Sequence, residues 1–311
     1  MGGQPSAVGA GRRPADRGCR FMHGLSRRRL VFPPRRKGPH RSLRRDDRIE
    51  VGQIVNLSHE IMNESLVSSI RERHQRVLGQ IAAAAARRCP ELVEGSGRDP
   101  GAVRLVVVTK SQPLAVVQAA IEAGILVLGE NYAEEAVAKI SALKSESEVE
   151  WHMIGHVQSR KADLVAGHFT MLHSLDSLKL AARLERFCEA EGKTLPVLLE
   201  FNVGGEESKY GWPAWDETRW PDLRPEVGQV LQFPHLSVRG LMTMPPYFEQ
   251  AELSRPYFQR LRRLRDYLAA QFPQAEWREL SMGTSADFEA AVQEGATYVR
   301  IGQAILGPRP T

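Results

Sequence analysis

Eight short apolar runs constrain this chain more than any other feature. They are "VRLVVVTK" (103–110), "ILVLGEN" (125–131), "EWHMIGHVQ" (150–158), "MLHSLDS" (171–177), "PVLLEFNVG" (196–204), "SVRGLMTMP" (237–245), "ELSMGTS" (279–285) and "YVRIGQAILG" (298–307). Between them lie segments with one apolar stripe, such as "PLAVVQAAIEAG", "LKLAARLERFCEAEG" and "YFQRLRRLRDYLAAQF". Strands apolar on both faces and separated by helices form parallel sheets whose two faces are both covered. Eight such units in about 200 residues predict a closed α/β structure, the (β/α)8 TIM barrel, with an open doubly wound sheet as the alternative. Both place chemistry at the carboxyl ends of the strands.

The segment from Asn63 to Arg88 sets Leu66, Ile70, His74, Leu78 and Ile81 near one face at three- and four-residue steps, which predicts an N-terminal amphipathic helix. "CPELVEGSGRDPG" then breaks the pattern with proline and glycine. Residues 1–61 show no sustained periodicity and are expected to be a disordered Arg-rich tail, or an over-extended start with translation beginning near Met62. Residues 62–311 are expected to form the barrel.

The net charge of +5 hides an asymmetry. Residues 1–50 hold 13 Arg and one Lys against four acids, a net of +10, so the remainder is close to −5. The basic character belongs to the tail, and no nucleic-acid partner is expected for the folded part. Cys19, Cys89 and Cys188 stand far apart without a CxxC pair, which fits neither a disulfide framework nor a zinc site and predicts a cytoplasmic protein. No apolar stretch is long enough for a membrane helix, so no membrane partner is expected.

Candidate site residues collect at the strand ends. Lys110 closes the first run; Glu130 and Asn131 close the second; His156 follows the third. "MGTS" precedes the helical "ADFEAAVQEG", so Gly283, Thr284 and Ser285 offer hydroxyls and backbone N–H groups suited to a phosphate. In "RIGQAILG", Gly302 admits close backbone approach and Arg300 supplies a fixed positive charge. Barrels commonly bind phosphate after strands seven and eight. A rim lysine opposite such a cradle suggests a phosphorylated aldehyde held as a Schiff base, with pyridoxal 5′-phosphate (PLP) the leading candidate. His152 and His156 have the spacing of helical zinc ligands, but a strand containing a central glycine does not build that site. Lys209 in "EESKYG" reads as a solvated or structural loop lysine at least as well as a second PLP acceptor. Trp212, Trp215 and Trp220 read as a loop covering a barrel end.

"VVVTKSQP", "GENYAEEAVAKI", "WHMIGHVQSRK", "LHSLDSLKLAARL", "VLLEFNVGGEESKYG", "RGLMTMPP" and "LSMGTSADFEAAVQEGATYVRIGQAILGPR" together resemble the PLP homeostasis protein family, single-domain relatives of the alanine racemase N-terminal barrel. The resemblance spans roughly Asn63 to Arg309. It implies that Lys110 carries PLP as an internal aldimine. It also implies that Ser285 and the backbone at Gly302 and Gln303 hold the phosphate, that Arg300 faces the pyridine nitrogen, and that Asn131 lies near the ring. This sequence departs from the family pattern at Thr284 (usually Met), Gln303 (usually Thr) and Arg160 (usually Asn), and "CPELVEGSG" reads as a surface insertion.

Placed as the resemblance implies, Arg300 would disfavour protonation of the pyridine nitrogen and so weaken the ring as an electron sink. Racemisation also needs an acid or base on each face of the substrate carbon. Alanine racemases take the second from a C-terminal β domain, which is not expected here because the chain ends at Thr311. The expectation is therefore a monomeric PLP carrier acting in vitamin B6 homeostasis, with PLP-dependent apoenzymes as partners. The alternatives are an active racemase or lyase, a Schiff-base aldolase, and a nucleic-acid module built on the Arg tail.

Overall fold

In the computed structural model, residues 51–88, 103–143 and 148–309 are described, with side chains from Asn63 onward. The strands are β1 (Arg104–Val108), β2 (Val127–Glu130), β3 (Glu150–Met153), β4 (Met171–Leu175), β5 (Leu195–Asn202), β6 (Trp212–Pro213), β7 (Leu236–Met242), β8 (Glu279–Thr284) and β9 (Tyr298–Ile301). The helices are α1 (Val51–Ala85), α2 (Leu114–Glu122), α3 (Ala133–Ala142), α4 (Ala162–His168), α5 (Leu178–Glu191), α6 (Arg224–Val230), α7 (Arg255–Gln271), α8 (Phe288–Gln293) and α9 (Gln303–Leu306).

All strand pairings are parallel. The order β4-β3-β2-β1-β9-β8-β7-β5 closes on itself through a β4–β5 pairing, so eight strands form a barrel and the two-residue β6 hangs on β5 outside the ring. Each of the eight apolar runs contributes one barrel strand. Closure removes both sheet edges, which is why short strands suffice.

Alternation along the strands sorts two cores. Outward residues such as Val107, Leu128, Leu172, Leu199, Leu280 and Val299 are buried beneath the helices. Inward residues Val106, Ile154, Met171, Leu198, Met242 and Tyr298 pack along the barrel axis. The helices meet the outer core through single stripes; Phe258, Leu261, Leu264 and Leu268 of α7 are all fully buried at three- and four-residue steps. Each such leucine is worth about 2–5 kcal/mol against truncation to alanine. Local signals set the helix ends: Ser177 Oγ accepts from the Leu180 N–H at 3.4 Å to open α5, and Gly192 at φ 65° closes it.

Three sequence expectations change. The first helix starts at Val51, twelve residues before Asn63 and inside the stretch assigned to the disordered tail. Its buried stripe is Val67, Ile70, Val77, Ile81 and Ala84, with Leu66 and Leu78 flanking it half-buried. The tryptophan loop contains the β6 pairing: Trp212 and Trp220 are buried and donate to Glu226 Oε2 at 2.7 Å and the Ala214 carbonyl at 3.2 Å, while Trp215 is exposed. The α8 helix begins at Phe288 rather than beside Ser285, because Asp287 turns its carboxylate back onto Thr284. The "CPELVEGSG" insertion, Cys19 and Cys89 lie outside the described residues; Cys188 is buried and free. Among the described residues no helix is long and apolar enough to cross a membrane.

Candidate functional site

Continuing each strand's inward register by two residues leads to the barrel mouth. Val108 leads to Lys110, Gly129 to Asn131, Ile154 to His156, Leu198 to Glu200, Met242 to Met244 and Arg300 to Gly302. The terminal member of every pair lines one cavity of about 440 Å³, joined by Ser285 and Gln303. The six residues singled out for the cofactor, Lys110, Asn131, Ser285, Arg300, Gly302 and Gln303, therefore meet on one surface.

Lys110 is half-buried on a turn that is held from behind. The Thr109 N–H donates to the Gly129 carbonyl at 2.9 Å, and the Thr109 carbonyl accepts from Lys139 Nζ at 2.8 Å. Lys139 also reaches Glu130 Oε1 at 2.8 Å and Glu135 Oε1 at 2.6 Å, and Glu135 Oε1 accepts the Ser111 N–H at 2.7 Å. Ser111 has φ 57°, the positive-φ exception among described non-glycine residues. A conformation costing about 1–3 kcal/mol beside a candidate nucleophile is the kind of strain that surrounding contacts must impose. Burial, the nearby Arg309 charge and, more weakly, Arg300 push the Lys110 amine below its usual range, against an opposing pull from Glu130. A larger fraction of the amine is thereby neutral and nucleophilic at physiological pH.

Glu130 corrects the sequence reading. Its neighbour Asn131 reaches the cavity, but Glu130 points the other way, fully buried against α3, where Thr109 Oγ1 and Lys139 bind the same carboxylate oxygen. Burial raises its pKa despite those partners.

The opposite wall holds Thr284, Ser285, Gly302 and Gln303, the segments expected to offer hydroxyls and backbone N–H groups. Asp287 Oδ1 accepts both the Thr284 N–H at 2.8 Å and the Thr284 hydroxyl at 3.1 Å, so of the two residues lining the cavity here Thr284 has its donors committed to the turn. A Cβ on Gly302 would lie 3.0 Å from the Val108 carbonyl oxygen, a tight contact that glycine avoids as this backbone approaches β1. Arg160, exposed and bonded to Gln158, lies away from the cavity lining.

Arg300 forms part of the cavity floor. Nη2 donates to the Thr243 carbonyl at 2.9 Å and meets Met244 Sδ at 2.9 Å, and Nη1 binds Ser281 Oγ. Burial pulls its pKa down to about 10, which leaves it a cation at neutral pH.

Sequence reasoning missed Glu200, Tyr247 and Arg309, whereas His156, expected at the end of the third run, does line the cavity, as does Lys209. Glu200 is only 8% exposed, its Oε2 has no partner, and burial with nearby Asp176 pushes its pKa up to about 7. His156 receives orientation from Asp176, with Nδ1 to Oδ2 at 2.7 Å, and stacks on Tyr210 at 3.6 Å between ring centroids. Lys209, Tyr247 and Arg309 also line the wall. The inward period-two register of β5 marks Glu200; Arg309 and Tyr247 carry no local signal. His152 is buried in β3 and bonded to His173, and the described residues contain no group of three or more His, Cys, Asp or Glu arranged for a metal.

A lysine amine of lowered pKa, a hydroxyl and glycine backbone opposite it, a buried cation between them, and unpartnered buried oxygens on Asn131 and Glu200 fit a phosphorylated aromatic aldehyde such as PLP. The barrel is that of the alanine racemase N-terminal domain, whose family model matches residues 96–310. Alanine racemase of Clostridium difficile 630 shares the fold at TM-score 0.52 and 13% identity, over 78% of this chain and 58% of that one.

The chain belongs to the pyridoxal phosphate homeostasis protein family. It is 39% identical over 238 residues to the member from Aquifex aeolicus, covering 76% of this chain and 97% of the relative. It is 40% identical over 228 residues to that from Pseudomonas aeruginosa, covering 73% and 94%. The structure of PipY from Synechococcus elongatus PCC7942 with PLP bound is similar at TM-score 0.61 and 34% identity, over 72% of this chain and all of that one.

Proposed function

We propose that this protein binds PLP as a Schiff base on Lys110 and acts in intracellular PLP homeostasis as a cytoplasmic monomer, passing the cofactor to PLP-dependent apoenzymes. The observation that carries this is the placement of Lys110, its amine made more nucleophilic by burial and by Arg309, on the same cavity as Ser285, Gly302 and Gln303. PLP supplies an aldehyde that condenses reversibly with amines. Lys110 provides the resident amine. Ser285 and the backbone at Gly302 and Gln303 bind the phosphate, Asn131 sits beside the ring, and Arg300 faces the ring nitrogen.

A carrier role is supported by Arg300. A buried guanidinium opposes a proton on the ring nitrogen and so weakens electron withdrawal from a bound amino acid. The cavity is also open to exchange, with Tyr247 on its wall 80% exposed.

The decisive experiment is the absorption spectrum of the purified protein, with PLP added, before and after borohydride, beside Lys110→Ala. A visible absorption band that borohydride removes and the variant lacks is expected. No band in the wild-type protein after PLP addition would end the assignment.

A second reading, a residual racemase or lyase activity, draws on the Asp176-oriented His156 at the cavity. It requires loss of an α-deuteron from an added amino acid, and a deuteron retained over many hours would exclude it.

A further inference from the structure

A file of polar side chains runs through the inside of the barrel, where branched aliphatics are the usual filling. Arg300 binds Ser281 Oγ; Ser281 Oγ lies 2.9 Å from His173 Nδ1; His173 Nε2 lies 3.0 Å from His152 Nδ1; and His152 Nε2 lies 3.3 Å from Glu150 Oε2. Ser281 and His173 are fully buried, and His152 and Arg300 nearly so. Arg300 lines the cavity at the carboxyl end of the barrel, whereas Glu150 is the first residue of β3, at the other end, paired with Arg104 at 2.7 Å.

The ends of the file dictate the protons within it. A guanidinium only donates, so Ser281 Oγ accepts from Arg300. Glu150 is held ionised, its pKa lowered to about 2 by His152 and Arg104, so it only accepts and His152 Nε2 must carry the proton. With neutral rings, one arrangement satisfies every link: Ser281 O–H donates to His173 Nδ1, His173 Nε2–H to His152 Nδ1, and His152 Nε2–H to Glu150. Burial disfavours a charge on either ring. All bonds then point the same way, from the buried cation to the carboxylate, and each polarises the next.

We propose that Ser281 and His173 are positioning residues that fix the Arg300 guanidinium at the cavity floor, with both histidines held as neutral Nε2–H tautomers by the file that ends on Glu150. Ser281, the Thr243 carbonyl and Met244 Sδ anchor Arg300 through both terminal nitrogens, which fixes the guanidinium plane. Only the identity of the ligand that Arg300 meets rests on the PLP reading above.

Two measurements test this. Ring ¹⁵N spectra of the ligand-free protein at neutral pH are expected to show His152 and His173 protonated at Nε2 alone; a proton on Nδ1 of either ring overturns the proposal. PLP titrations, followed by the absorption band, compare wild type, Ser281→Ala and Ser281→Thr. Losing the anchor should weaken binding by about tenfold in Ser281→Ala, as for one hydrogen bond to a charged group. Ser281→Thr, which keeps the hydroxyl, should stay near wild type. Thermal unfolding of the ligand-free variants separates folding from positioning: wild-type affinity in Ser281→Ala, or losses in both variants that merely follow their unfolding temperatures, overturns the proposal. Failure of the wild-type protein to take up PLP would remove the cofactor reading and leave the ring spectra to decide this one.

Discussion

Lys139 Nζ donates to the Thr109 carbonyl at 2.8 Å, so a lysine buried on α3 holds the residue that precedes Lys110. The same ammonium neutralises Glu130, which has no exposed surface at all.

Lys139→Met should therefore destabilise the fold by about 3–5 kcal/mol, because it strands a buried carboxylate. Urea unfolding will measure this, and Lys139→Met combined with Glu130→Gln should recover part of the loss. Because Thr109 is also released, the single variant should take up PLP more weakly than its remaining folded fraction explains.

Arg309 lowers the Lys110 pKa through like charge. Arg309→Ala removes that positive neighbour, raises the pKa and shrinks the neutral-amine fraction near pH 7. The rate at which the PLP band appears should fall at neutral pH and approach that of wild type as pH rises through the lysine range; stopped-flow absorbance across pH checks this.

Glu200 has a folded-state pKa of about 7 against an ordinary 4.5. Between these values the folded state binds more protons than the unfolded one, so stability falls as pH rises through the window. Glu200→Gln abolishes that dependence. The variant should gain on wild type between pH 4.5 and 7, levelling off above pH 7 at no more than about 3 kcal/mol. Urea unfolding at pH 5 and pH 8 reads the difference.

Gly155 packs against the strand that delivers Asn131. An added Cβ would stand 2.5 Å from the Asn131 carbonyl oxygen and 2.7 Å from its Cα, both backbone atoms that cannot swing aside. Gly155→Ala should cost about 1–3 kcal/mol and displace Asn131 from the cavity. Thermal unfolding and PLP titration should both show the loss.

Much of this was legible in the chain. The eight apolar runs each became a barrel strand, and Lys110, Asn131, Ser285, Arg300, Gly302 and Gln303 were found together because residues just past strand ends converge on a barrel mouth. Thr284 lines the cavity beside Ser285, but its donors were not legible: Asp287 captures both, a contact available to any Asp three residues on but invisible to a count of hydroxyls. Glu200 was missed because it lies inside an apolar run and reads there as one more strand residue.

The sequence by itself determined the repeated strand-and-helix units and the polar residues at their ends, since these follow from periods of two and 3.6 and from turn chemistry within a few neighbours. Only the tertiary structure decided which way those residues face and what they meet. Glu130 and Asn131 are adjacent, yet one is buried against Lys139 and the other lines the cavity, because successive strand residues project to opposite faces and barrel closure makes one face the outer core and the other the mouth. Arg300, Ser281, His173, His152 and Glu150 come from four strands and up to 150 residues of chain. Their contact depends on the packing of the whole barrel, which no local pattern encodes.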